Sequence, residues 1–214
     1  MRLLKRVALA LVVLAAVFLG VGMLLPSAWH TERSVEIAAG SEHILPLIET
    51  PARWEEWAPW NKTRYPDMQV EFAGEKAGAG AKWSWKGQSS GNGSMTITRA
   101  SADYGIDFDL AFEGHEPSKG SIRLEPSAGG TKVTWSMWGD MGMSPIARYF
   151  GLVMDSMMAP DFEAGLGKLE TRAKEEQVVA EKAAAEAKAR AEAEAAAAAA
   201  AAAQAVAEEM EAAE

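Results

Sequence analysis

Apolar and polar residues alternate in seven separate runs of this chain. The clearest is residues 106–113, Ile-Asp-Phe-Asp-Leu-Ala-Phe-Glu, followed by residues 131–137, Thr-Lys-Val-Thr-Trp-Ser-Met. Shorter runs surround Val35 and Ile37, Val70 and Phe72, Trp83 and Trp85, Met95 and Ile97, and Ile122 and Leu124. A period of two is that of a strand with one buried face. Glycine-bearing turns separate the runs: Gly78-Ala79-Gly80, Gly91-Asn92-Gly93, residues 114–119 and Gly129-Gly130. Successive strands with short connections predict an antiparallel meander with one wet face.

Two stretches follow a helical period instead. Gly40 breaks the first run. Ser41 is then expected to cap a helix carrying Ile44, Leu45, Leu47 and Ile48, which Pro51 ends. A short turn bearing Trp54, Trp57 and Trp60 comes next. After the turn at residues 139–143, Ser144 suits an N-cap and Pro145 a first helical position. Ile146, Phe150, Val153, Met154, Met157, Phe162, Leu166 and Leu169 then recur as one apolar stripe. Pro160 predicts a kink, because it has no N–H to donate to the carbonyl four residues back. The order is therefore a strand, two short helices, six strands and a long helix. This predicts an α+β domain in which the sheet folds against the last helix.

The two ends differ from this middle. Val7 to Leu25 is a run of nineteen uncharged residues preceded by Arg2, Lys5 and Arg6. As a helix it spans roughly 29 Å, close to the hydrocarbon thickness of a bilayer. The run is longer than a signal-peptide core, and its small-x-small sites are poor because Pro26 precedes Ser27-Ala28. An uncleaved anchor is expected, with a cleaved signal or a buried soluble helix as the alternatives; as an anchor its basic end is cytoplasmic and Trp29 and His30 are at the interface. At the other end, residues 171–214 hold ten glutamates against five basic residues and an alanine run from 195 to 203. Such a tail forms helix readily but has almost no large apolar side chain to bury. It reads as a solvated helix or spacer, or alternatively as an arm for a partner. The expected divisions are an anchor at 1–29, a domain at 30–170 and a tail at 171–214.

Over its 214 residues the chain carries a formal charge of −9, and no basic patch interrupts it, so a nucleic-acid partner is not expected. It has no cysteine, which removes disulfides and thiolate metal sites.

Several stretches resemble the START-like, helix-grip (SRPBCC) superfamily, and in particular the membrane-anchored polyketide cyclase/dehydrase-like proteins of bacteria. They are Leu25-Pro26-Ser27 leading into His30-Thr31-Glu32-Arg33-Ser34, Trp54-Glu55-Glu56-Trp57-Ala58-Pro59-Trp60 and Gly93-Ser94-Met95-Thr96-Ile97. Also similar are Gly130-Thr131-Lys132-Val133-Thr134-Trp135 and Asp161-Phe162-Glu163-Ala164-Gly165-Leu166. The resemblance covers roughly residues 25–170 and leaves out the tail. It implies a seven-stranded sheet curled around the C-terminal helix, with a cavity between them for hydrophobic molecules. It also implies a bacterial inner-membrane protein whose domain lies on the periplasmic side. Functions in the superfamily run from lipid transport to cyclisation, and the fold does not choose among them.

The residues expected to line such a cavity are Trp83, Trp85, Met95, Phe108, Leu110, Phe112, Trp135 and Met137 from the strands, with Phe150, Met154 and Met157 from the helix. Aromatic and methionine walls suit greasy ligands, although any sheet packing a helix needs an apolar face. Trp54, Trp57 and Trp60 either anchor their turn to the sheet or gate a mouth. His30, His43 and His115 are scattered without metal-ligand spacing, and no nucleophile motif is found. Asp107, Asp109 and Glu113 fall on the polar face of their strand. No catalytic residue or cofactor is expected. Asn61-Lys62-Thr63 matches a glycosylation sequon that is common by chance. The main reading is a membrane-tethered binding protein for a hydrophobic small molecule or lipid. The alternatives are a cyclase/dehydrase-type enzyme with a polar pair inside the cavity, and an interaction module with a filled core.

Overall fold

The seven alternating runs pair into one antiparallel sheet in the computed structural model, which describes residues 2–211. The strands are β1 (Ala28–Ile37), β2 (Gln69–Gly74), β3 (Ala81–Gly87), β4 (Gly91–Ser101), β5 (Gly105–Phe112), β6 (Ser118–Ser127) and β7 (Gly130–Asp140). Their spatial order is β1-β7-β6-β5-β4-β3-β2, so the sheet is open, with β1 and β2 as its edges. The helices are α1 (Arg2–Leu24), α2 (Ser41–Glu49), α3 (Trp54–Trp57, after a 3-10 turn at Pro51–Arg53), α4 (Pro145–Gly151) and α5 (Met154–Glu211).

One face of the sheet is apolar, as the alternation predicts. Ile106, Phe108 and Leu110 are buried. Asp107 turns to the other face, where it accepts from Arg123 at 2.7 Å and from Tyr104 at 2.8 Å. The rings and side chains of α2, α3 and the first part of α5 cover the apolar face. Ile44, Leu47 and Ile48 of α2 are fully buried, as are Phe162, Leu166 and Leu169 of α5.

Four sequence expectations shift. β1 begins at Ala28, well before the alternating run around Val35, because β7 offers an unbroken partner from Thr131 to Asp140. Pairing between backbones requires no alternation, so Trp29 and His30 belong to a strand rather than to the end of the apolar helix. Ser41 is the first residue of α2 and Gly40 its N-cap, without a side-chain cap. At the other site the cap holds, with Ser144 Oγ accepting from the Ala147 amide at 3.3 Å. The long helix is interrupted at Leu152–Val153, where Val153 N–H bonds back to Phe150, while Pro160, the expected kink, lies inside α5.

The tryptophan turn is an anchor. Trp54 Nε1 donates to the carbonyl of Ile48 at 2.7 Å and Trp57 Nε1 to that of Leu47 at 3.0 Å. Asn61 closes the same segment, donating to Ala58 O at 2.9 Å and accepting from the Arg64 amide at 3.1 Å. With Asn61 buried and both ends of its amide used, the sequon is a structural element. Glu56 of α3 takes Arg53 at 2.9 Å and Arg172 of α5 at 2.8 Å. Hydrogen bonding to Arg53 holds its carboxyl below the ordinary value, with Arg172 adding to the effect and partial burial opposing it. A depressed carboxylate stabilises the fold above the unfolded-state pKa, near 4.5, and the contribution is lost as pH falls through the native value. Glu56→Gln should therefore lower Tm at neutral pH, and the gap to wild type should close as pH falls below 4.5 and through the depressed native value. A gap independent of pH in thermal melts would assign the effect to shape alone.

The packed unit ends at Lys174 and a second unit begins at Glu175. Arg172 and the buried Ala173 put the packed part of α5 a few residues beyond the expected boundary at 170. The second unit is helical through Glu211 and is supported by pairs along its own surface, such as Arg190–Glu194 at 2.9 Å. Residues 178–203 are all exposed. Truncation after Gln177 should leave the Tm of the packed unit within a few degrees, as for changes under about 1 kcal/mol. A fall of 10 °C or so in a melting curve would overturn that expectation.

Candidate ligand cavity

Between the apolar face of the sheet and the helices lies a cavity of about 1080 Å³. Strand alternation aims the wall residues, and the cross-strand register groups them. Trp83 pairs with Met95, and Met95 with Leu110. In the next row Phe108 faces Gly120, which faces Met137. A Cβ at Gly120 would come within 2.3 Å of Phe108 Cζ, so the glycine gives the ring its place. On α5, a Cβ at Gly165 would meet Trp135 Cζ3 at 2.8 Å, which lets the helix approach the sheet closely.

Of the eleven residues expected from sequence, all but Phe150 line this cavity. Phe150 lies on the outside of α4 and is 57% exposed. The break at Leu152–Val153 explains this, since α4 and α5 do not share one stripe. The remaining residues divide by depth. Met95, Phe108 and Trp135 are at most 1% exposed and form a sealed floor, whereas Trp83, Trp85, Leu110 and Met137 expose 4–8% and form the wall. Phe112, at 38%, and Met157, at 62%, stand at the mouth.

The floor is an aromatic cluster. Trp135 stacks on Phe162 with centroids 4.3 Å apart, and it meets Trp57 at 5.3 Å and Trp60 at 5.7 Å nearly edge-on. Trp54 stands edge-on to Phe108 at 5.6 Å. The indole N–H groups of Trp83 and Trp135 are buried without an acceptor. Both indoles pack against other rings.

Several lining residues were not anticipated. Trp29 enters from the part of β1 that carries no alternation signal, and Met141 and Met143 come from the turn after β7. Met158 adjoins the expected Met157. The polar lining was also not anticipated. It includes the Arg64–Asp161 ion pair at 2.6 Å, Tyr65, His115, Glu116 and Asp140, together with Ser90, Ser118 and Ser144. These charged groups are exposed or half-exposed, so they form a rim around an aromatic and methionine interior. Arg64 is held protonated above its ordinary range by its hydrogen bond to Asp161. Asp140 is held below its own by bonds from Ser27 Oγ and the Gly142 amide. Among the described residues no three His, Asp or Glu side chains converge on a metal-sized site.

The sequence profile of the polyketide cyclase/dehydrase and lipid transport family matches residues 28–174, from the start of β1 to the end of the packed part of α5. The chain belongs to that family. Solved structures of similar fold include a protein of unknown function from Staphylococcus aureus, 11% identical with a TM-score of 0.52, covering 70% of this chain and 95% of that one. The di-domain ARO/CYC protein StfQ of the steffimycin biosynthetic pathway is 10% identical with a TM-score of 0.50, covering 69% and 52%. A protein from Rhodobacter sphaeroides is 18% identical with a TM-score of 0.48, covering 67% and 91%. At these identities the likeness is one of fold. No curated protein matches the sequence. Membership in the polyketide cyclase/dehydrase family fits the cavity, since the fold is compatible with hydrophobic ligands, and it leaves the chemistry to the side chains.

Proposed function

We propose that this chain is a membrane-tethered binding protein that holds a hydrophobic small molecule or lipid beside the bilayer. The observation that carries the reading is the cavity of about 1080 Å³, apolar and aromatic within and charged only at its rim. A space of that size is at the upper end of ordinary ligand pockets, which run to about 1,000 Å³. It argues against a module with a filled core. The rim position of Arg64, Asp161, Glu116 and Asp140 argues against acid–base catalysis in the interior, since a working pair needs a protected site that moves its pKa values apart.

The tether is α1, whose most apolar 18-residue stretch has a mean hydropathy of 2.8. Its basic end carries Arg2, Lys5 and Arg6, which favours a cytoplasmic N-terminus and a periplasmic domain at a bacterial inner membrane. Full-length protein in mild detergent should release an apolar ligand in native mass spectrometry. After delipidation it should bind a fluorescent fatty-acid analogue saturably and with a stoichiometry of about one, given one cavity of this size. Absence of saturable binding by stripped, folded protein would refute the carrier reading.

A further inference from the structure

Around α4 the packed unit exposes a patch of large apolar side chains that no fold contact requires. Met143 is 74% exposed, Ile146 54%, Phe150 57%, Leu152 58%, Val153 44% and Met157 62%. The same helix grips the end of α1. Tyr149 stacks on Phe18 with centroids 4.4 Å apart, and its hydroxyl donates to Phe18 O at 2.8 Å. A Cβ on Gly22 would lie 2.6 Å from Pro145 O, so the two helices touch at backbone distance there. Arg148 Nη1 donates to the carbonyls of Met23 at 2.6 Å and Leu25 at 3.2 Å, satisfying acceptors that a helix C-terminus leaves orphaned.

We propose that this exposed edge is a second membrane-contact surface, seated in the outer part of the leaflet that α1 enters. The inference rests on α1 being a span. Phe18 lies six residues before Leu24, which is about 9 Å along a helix axis. A partner that touches Phe18 therefore sits about as deep as an amphipathic helix lies in a bilayer interface, roughly 5–10 Å. The patch is continuous with the apolar surface of α1, and its side chains are those that interfacial helices bury. Met143 and Met157 belong both to the patch and to the cavity lining, so the mouth opens on this surface. A ligand leaving the leaflet reaches the cavity across these methionines without passing through bulk water.

The absence of cysteine makes the test direct, because single cysteines can be labelled in the full-length chain. Ile146→Cys and Phe150→Cys would carry a polarity-sensitive dye in phosphatidylglycerol/phosphatidylethanolamine vesicles containing spin-labelled lipid. Leu14→Cys reports the span. Ala128→Cys, in the β6–β7 turn at the far end of β7, is the aqueous control, about 33 Å along the strand from Asp140. At least two-fold quenching is expected at 146 and 150 by a shallow spin label, and at 14 by a deep one, with none at 128. Quenching at 14 with 146 and 150 as unquenched as 128 would keep the tether, overturn the proposal and leave the patch to a protein partner. An unquenched label at 14 would overturn the tether, and with it the seating of this surface in the leaflet.

Discussion

Replacing Trp135 by alanine should destabilise the packed unit more than any other single truncation in the cavity region, by about 3–5 kcal/mol. The side chain is fully buried at the point where β7, α3 and α5 meet. It stacks on Phe162 and stands edge-on to Trp57 and Trp60, each pairing being worth about 0.5–1.5 kcal/mol beyond its buried area. Gly165 already brings α5 against the ring, and Pro59 Cδ, 3.1 Å from where a Cβ on Gly165 would lie, limits how far the helix can slide in to fill the hole. Trp135→Phe keeps a ring against Phe162 and should lose well under half as much. Thermal unfolding of the detergent-solubilised chain should show Trp135→Ala melting about 10 °C or more below wild type. A shift of only a few degrees would mean that the floor of the cavity is loosely packed around Trp135.

Met154→Trp should weaken ligand uptake at least 10-fold and leave the fold intact. Met154 begins α5, is half-buried and lines the cavity beside Met157 and Met158 near the mouth. An indole there replaces a thin, flexible side chain with a rigid one. The neighbouring groups are methionines, which adjust around it without strain at the sealed floor. Affinity for a fluorescent fatty-acid analogue should fall at least 10-fold, about 1.4 kcal/mol, with Tm unchanged within a few degrees. If one indole leaves a passage in so wide a mouth, Met154→Trp combined with Met157→Trp closes it further. Undiminished binding by the folded double variant would place the ligand outside this cavity.

Which strand residues face inward was legible in the chain because strand geometry is local. Trp83, Met95, Phe108, Leu110 and Met137 reach the cavity as the period of two requires. The apolar length of α1, the cap at Ser144 and the exposed tail follow from equally local physics. Phe150 marks the limit of that reasoning. Its spacing fits one long stripe, but the chain turns at Leu152–Val153, and a stripe is continuous only if the helix is.

What tertiary structure alone decided are the features made by residues distant in sequence. The first half of β1 is a strand because β7 is there to pair with it. Trp29 faces the cavity for the same reason. The rim joins Arg64 to Asp161, ninety-seven positions apart. The grip of Arg148 and Tyr149 on α1 spans still longer separations. Periodicity reports which face of an element is apolar. It carries no information on which face another element will meet, because that is set by closing long loops around a common core. The sequence by itself thus determined the elements and their apolar faces, and the packing of α2, α3 and α5 against the sheet decided that those faces enclose a space instead of filling it.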